Sequence, residues 1–168
     1  IYNRIFVWSS FMTPLFLGII AGATVSGSID PLASNFPDAY IFPWLNLFSV
    51  AVGFFTVALC GFLAAVYLVG EAKEESDRES FIRKARNANL VAFVFGFLVF
   101  VAAEIQGVPL IHWVFDDNVG MLSVIAATVS LIVLWRVIRY ANRWLVRGLV
   151  VFQVSMILLA ISYEPFPD

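Results

Sequence analysis

The stretch LFSVAVGFFTVALCGFLAAVYLVG, residues 47–70, contains no charged side chain. A helix of this length rises about 36 Å at about 1.5 Å per residue, which exceeds the hydrocarbon thickness of a bilayer, about 30 Å. Its apolar residues follow one another without a break, whereas the strands of a membrane barrel alternate apolar and polar side chains. Residues 47–70 are therefore predicted to form a helix that crosses a membrane.

Four further segments share this character. The chain of 168 residues is 61% hydrophobic and 13% charged, with a mean hydropathy of +0.91, whereas about a quarter of the residues in soluble domains are charged. The predicted spans are residues 5–27, 47–70, 88–107, 119–140 and 144–163. The sequence thus predicts an all-α integral membrane protein, a bundle of about five transmembrane helices in one domain over residues 1–168.

Both ends of the sequence lie close to predicted spans. The chain starts at Ile1 without an initiator Met, and it stops at SYEPFPD, directly after the last span. No signal-peptide pattern precedes the first span. We interpret the chain as an interior piece of a longer polytopic protein.

The ten Lys and Arg residues are confined to alternate connections. One precedes the first span, five lie between the second and third, and four flank the turn between the fourth and fifth. The opposite connections, residues 28–44 and 108–118, contain Asp but no Lys or Arg. By the positive-inside rule, the N-terminus is predicted to be cytoplasmic and the C-terminus to lie outside. Nucleic acid is excluded as a partner, because the basic residues lie between apolar spans.

The most charged connection is VGEAKEESDRESFIRKARN, residues 69–87. Glu74 with Arg78, and Glu79 with Arg83, are four residues apart in the favourable order, which predicts a short surface helix. We interpret the connection as a solvated cytoplasmic segment. The alternative is binding of anionic lipid headgroups, worth about 1 kcal/mol per basic residue near the surface. Five acidic residues in the same stretch argue against strong binding.

The first span contains a proline, in WSSFMTPLFLGIIAGATVSG at residues 8–27. Pro14 has no N–H, so the Ser10 carbonyl loses its usual helical donor. A kink is predicted near Ser10. A hydroxyl of Ser9, Ser10 or Thr13 is the predicted replacement donor.

Small residues follow at four-residue spacing. The predicted helix-packing residues are Pro14, Gly18, Gly22 and Ser26. Such a stripe lets another helix backbone approach closely; the alternative is that it lines a ligand channel. In the second span, Asn46 is a predicted N-cap, and the Thr56 hydroxyl is expected to bond back to its own helix.

Several motifs resemble subunit II of the cytochrome bd-type quinol oxidases. They are WSSFMTPLFLGIIAG at 8–22, WLNLFS at 44–49, VALCGFLAAVYLVGE at 57–71, RGLVVFQV at 147–154 and SYEPFP at 162–167. The family often has Pro where this chain has Leu47. In the family, this region resembles the later helices of a protein of about nine spans.

The resemblance implies a haem-free, non-catalytic subunit in the inner membrane of a bacterium. Its expected partner is a haem-bearing subunit I, which would hold haems b and d, oxidise quinol and reduce oxygen, while this chain supports assembly. Membrane lipid, and quinone as a further candidate, are its other expected partners. The alternative function is a transporter or channel fragment in which the Pro14 kink and Glu104 line a path.

Candidate ligands for a haem iron are few. His112 is the only histidine, and the three Met residues are dispersed; a haem needs such side chains at matching positions. We therefore expect no cofactor and no metal in this chain, and we place His112 in a short surface or re-entrant turn. Cys60 has no second cysteine to pair with.

Glu104 is the acidic residue of most interest, since it lies inside the third predicted span about one turn before Gly107. Carboxylates within a membrane are functional candidates by default. A proton-relay or subunit-contact role and an ordinary interfacial carboxylate are equally supported by its position. The acidic pair Asp116 and Asp117 lacks the oxygen ligands of a calcium site, so Asp117 or Asn118 is predicted to cap the fourth span. Gln106 and Gln153 are candidates for hydrogen bonds between helices.

Overall fold

In the residues that it describes, the computed structural model contains three long helices and a short one. The structure describes residues 2–29, 35–37, 41–72 and 74–115, together with residues 121, 122, 125, 126, 128, 129, 132, 133, 136, 144, 148, 151, 152, 154 and 155. The helices are α1 (Tyr2–Val25), α2 (Leu47–Glu71), α3 (Glu75–Gln106) and α4 (Leu110–Phe115). No strand occurs in this part of the chain.

Three of the described helices are long and apolar enough to cross a membrane: Arg4–Val25, Leu47–Glu71 and Glu75–Gln106. The prediction of an all-helical chain is thereby confirmed for the described residues, and the first three predicted spans each correspond to one of these helices. The predicted spans 119–140 and 144–163 fall largely outside the described residues, as do Asp116, Asp117, Asn118 and Gln153.

Two glycines end the helices α1 and α3 in the same way. Gly27 has φ 63° and Gly107 has φ 69°, a left-handed conformation that favours glycine. At the end of α1, Gly27 N–H donates to the Thr24 carbonyl and Ser28 N–H to the Ala23 carbonyl. These two bonds define a Schellman motif, which α3 repeats around Gly107. The first helix therefore ends at Val25, two residues before the predicted end.

The third helix is longer than predicted. The charged connection was expected to contain a short surface helix; residues 75–87 are helical, and they are continuous with the third span in a helix of 32 residues. The reason is local: this stretch contains neither Gly nor Pro, and Glu75 and Asp77 lie in the first turn, where acidic side chains favour the helix dipole. The predicted start at residue 88 was the start of the apolar stretch, whereas the helix begins 13 residues earlier.

The described residues divide into two packed units. In one, the described part of residues 1–60 associates with residues 91–108. There the rings of Phe54 and Phe95 stack with centroids 5.6 Å apart, and the Phe55 ring lies against Gly96. Stacked aromatic rings at this distance stabilise a helix pair beyond their buried area. This unit positions the residues of the candidate site.

The other unit joins residues 61–90 with the described part of 109–168. Its core lies between the end of α2 and the start of α3, with Phe62, Ala65, Val66 and Val69 packed against Ala85. Partly buried side chains surround this cluster: Leu63, Phe81, Ile82 and Ala88. The charged first half of α3 is thus held to α2 by its own apolar core.

Large apolar side chains cover the outside of the helices. Phe6 and Phe93 are each 71% exposed, a degree of exposure that a soluble core helix would not show for so many residues. Such a surface is the expected one for helices in contact with lipid.

Candidate functional site

The small-residue stripe of α1 lies against α2 at very short range. A Cβ atom built on Gly18 would lie 2.5 Å from Thr56 Oγ1 and 2.7 Å from the Cα of Gly53. A Cβ on Gly22 would lie 2.7 Å from the Cα of Ser49. Real Cβ atoms do not approach a backbone carbon this closely, so only glycine fits at both positions. We call this contact between α1 and α2 the glycine seam: Gly18, Gly22, Ser49, Gly53 and Thr56.

The seam is close-packed from the side of α2 as well. A Cβ on Gly53 would lie 2.8 Å from an Ile19 side-chain carbon and 3.0 Å from the Leu15 carbonyl oxygen. Glycine on both helices thus brings the two backbones together, and dispersion contacts between small residues stabilise helix pairs in lipid. Thr56 keeps its hydroxyl bonded to the Val52 carbonyl at 2.8 Å, which confirms the expectation that it bonds within its own helix.

Ser49 contributes to the seam through its size. It is 0% exposed, and its hydroxyl oxygen makes no hydrogen bond to other described residues. A buried hydroxyl without a partner costs about 1–3 kcal/mol. The residue is small enough to let Gly22 approach, so shape rather than hydrogen bonding holds this contact.

The other two predicted packing residues lie at different places. Pro14 is half-buried inside α1. The replacement donor was predicted for the Ser10 carbonyl, but the Thr13 hydroxyl donates to the Ser9 carbonyl at 2.9 Å. The prediction was off by one residue because a threonine in a helix bonds to the carbonyl four residues back. Ser26 lies beyond the end of α1, where its hydroxyl meets that of Ser28 at 2.6 Å.

A polar cluster satisfies the N-terminus of α2. The first N–H groups of a helix have no partner within the helix. Here Ser49 N–H donates to Asn46 Oδ1 at 2.7 Å, which confirms Asn46 as the N-cap. Phe48 N–H donates to Gln106 Oε1 of α3 at 2.8 Å, which confirms Gln106 as a residue that bonds between helices. Asn46 Nδ2 donates to the Pro43 carbonyl at 2.8 Å.

Glu104 lies near this cluster in sequence but is not part of its hydrogen bonds. Its side chain is exposed in the last turn of α3, and its backbone carbonyl accepts Gly107 N–H at 3.3 Å. Sequence reasoning singled out the carboxylate, whereas the described contacts use the neighbouring amide of Gln106. The sequence offers little to show which of the two residues makes the contact, since both are polar and lie near the same end of α3.

Candidate metal ligands are dispersed. His112 is exposed in the six-residue helix α4 rather than in a turn. Met12 is half-buried in α1, and Cys60 is exposed in α2. Among the described residues no group of three or more His, Cys, Asp and Glu side chains is placed to hold a metal ion. The location of the haems therefore stays a prediction.

The comparison with known families gives one match over the full sequence. The family model described as cytochrome bd terminal oxidase subunit II matches residues 1–168. No curated protein and no solved structure matches the chain.

Proposed function

The chain belongs to the cytochrome bd terminal oxidase subunit II family, and from that membership we propose that it is a haem-free subunit that supports assembly of a haem-bearing subunit I. Membership makes it a membrane subunit of a bd-type oxidase, an oxidoreductase complex of the respiratory chain that uses haems and has a partner subunit. The match also favours an oxidase subunit over a transporter or channel fragment.

The observation that carries the proposal is the family match, and the described residues support it with packing surfaces. The glycine seam holds α1 to α2, and the polar cluster joins α2 to α3. Such contacts give a subunit a fixed shape to present to a partner. Haems b and d, and the site of quinol oxidation, are assigned to subunit I. Glu104, exposed at the end of α3, is assigned a contact with that subunit.

The haem assignment predicts an unchanged haem spectrum after loss of the single histidine. In the purified oxidase complex, His112→Ala should keep the Soret band and the reduced-minus-oxidised difference spectrum of the wild type, because no haem iron depends on this imidazole. Met12→Leu removes the thioether in α1 and should behave in the same way. The measurement is absorbance per assembled complex, with both subunits checked on a gel. Loss of a haem band in either variant, with both subunits still present, would overturn the proposal.

We also propose an orientation in the bacterial inner membrane, with the N-terminus and residues 69–87 in the cytoplasm and the C-terminus outside. All ten basic residues support it through the positive-inside rule.

The orientation predicts one-sided labelling in intact cells. A membrane-impermeant maleimide should label Ser34→Cys and leave Ser76→Cys unlabelled, because the two residues lie on opposite sides of the second span. The wild-type chain, whose Cys60 lies within α2, is the control for background. Labelling of Ser76→Cys before the cells are broken would reverse the orientation.

A further inference from the structure

Apart from Arg78, the charges along the first half of α3 are ordered by sign. The acidic residues come first in the chain, and the basic residues come last, directly before an uncharged stretch from Asn87 to Ala103. Because α3 is one continuous helix, this order along the chain is also an order of distance from the uncharged part of the helix. At about 1.5 Å per residue, the basic residues Arg83, Lys84 and Arg86 lie about 3–8 Å along the helix from Ala88. The acidic residues Glu75, Asp77 and Glu79 lie about 14–20 Å from it.

The three basic side chains are exposed at the level where α3 packs against α2. Ala85, which lies between them in sequence, is 0% exposed and packs against Phe62 and Val66. Arg83, Lys84 and Arg86 are all exposed. Arg83 and Arg86 make no hydrogen bond or ion pair to other described residues. Their guanidinium groups are therefore available to a ligand outside this part of the chain.

Lys84 shows the direction in which these side chains extend. Its Nζ lies 5.3 Å from the centroid of the Phe81 ring, one turn closer to the start of α3. Side chains of a helix tilt towards its N-terminus, so the ammonium group lies farther from the apolar part of α3 than its own Cα. Long basic side chains take this arrangement when their stems cover apolar surface and their charges reach the polar headgroups.

The neighbouring helix is apolar at the same level. The core that holds Ala85 is formed by α2 residues between Phe62 and Val69, and Tyr67 and Leu68 of this segment are exposed. One helix therefore offers exposed apolar side chains, and the other offers positive charge, within a single packed unit. This combination matches a phospholipid, which has acyl chains beside a phosphate.

We propose that Arg83, Lys84 and Arg86 form a binding surface for the phosphate groups of anionic phospholipids. Arginine binds phosphate oxygens in pairs, and each basic residue near the surface favours anionic lipid by about fivefold, the equivalent of about 1 kcal/mol. Glu75 and Asp77 lie about 9 Å or more along the helix from all three basic residues, beyond a screening length of about 8 Å, so they cancel little of the attraction. Glu79 lies about 6 Å from Arg83 and weakens the attraction there. A lipid is the occupant because the apolar side chains of α2 adjoin the charges.

The test uses the assembled oxidase, released from detergent into a native mass spectrometer after incubation with phosphatidylglycerol. The wild type should retain bound phosphatidylglycerol, and the triple variant R83Q/K84Q/R86Q should bind it about a hundredfold more weakly. Each single variant should weaken binding by about fivefold, so the proposal remains testable if the triple variant does not assemble.

Arg78→Gln is the matched control. It removes one positive charge from the same helix at about 15 Å from Ala88 and should leave lipid binding within twofold of the wild type. Equal retention of phosphatidylglycerol by the wild type and the single variants would overturn the proposal. Equal weakening by Arg78→Gln, or full displacement of the lipid by soluble glycerophosphoglycerol, would overturn it as well, since binding would then reflect overall charge or a free phosphate.

Discussion

Gly22→Leu should lower the free energy of unfolding of the oxidase complex by about 3 kcal/mol and should lower its melting temperature. Gly22 has no room for a side chain, since even a Cβ atom would lie 2.7 Å from the Cα of Ser49. A leucine must push α1 away from α2 along the whole seam, where close packing is the main attraction between helices in lipid. The measurement is thermal unfolding of the purified complex, followed by tryptophan fluorescence.

Gly61→Leu is the control for this experiment. Gly61 lies in the interior of α2, but a Cβ there would have no other atom within 4 Å. Leucine at this position should change stability by less than about 1 kcal/mol, since it fills open space and improves helix propensity. If the Gly22 and Gly61 variants unfold at the same temperature, the two helices are not held by the seam.

Phe62→Ala should open the contact between the end of α2 and the start of α3. Phe62 is 1% exposed and lies in the core that includes Ala85. Truncation of a buried Phe to Ala costs about 3–5 kcal/mol, so the population in which this contact is open should rise at least about a hundredfold. Trypsin cleavage after Arg78 and Arg83 reports that population when opening is fast relative to cleavage. We expect cleavage of the detergent-solubilised complex to accelerate by a similar factor.

Phe97→Ala provides the matched control, because this phenylalanine lies on α3 and is 64% exposed. It loses little packing when truncated, so cleavage should proceed at the wild-type rate. A Phe62 variant as resistant to trypsin as the Phe97 variant would show that the first half of α3 is held by other contacts.

The sequence predicted those helices whose limits are set by neighbouring residues. The second span was predicted over residues 47–70, and the helix extends over Leu47–Glu71. The agreement is close because Asn46 caps the start of the helix and the uncharged run ends where the helix ends. The start of α3 was not predicted. Hydropathy identifies only the residues that contact lipid, whereas this helix begins in a charged segment outside the apolar stretch.

The candidate site was predictable only in part. Four-residue spacing identified Gly18 and Gly22, but it does not select the partner helix, and the opposing Gly53 follows from the folded arrangement. Gln106 was one of two glutamines considered equally, because its acceptor role depends on a residue 58 positions earlier in the chain. Pairings at such separation are fixed by tertiary contacts that a single sequence does not display.

The hydrogen bond between Phe48 and Gln106 also fixes an order of events during synthesis. A ribosome adds about 5–20 residues per second, so the 58 residues between the donor and its acceptor take about 3–12 seconds to emerge. Until then Phe48 N–H lacks this acceptor, so the link between the start of α2 and the end of α3 can form only after the third helix has been synthesised.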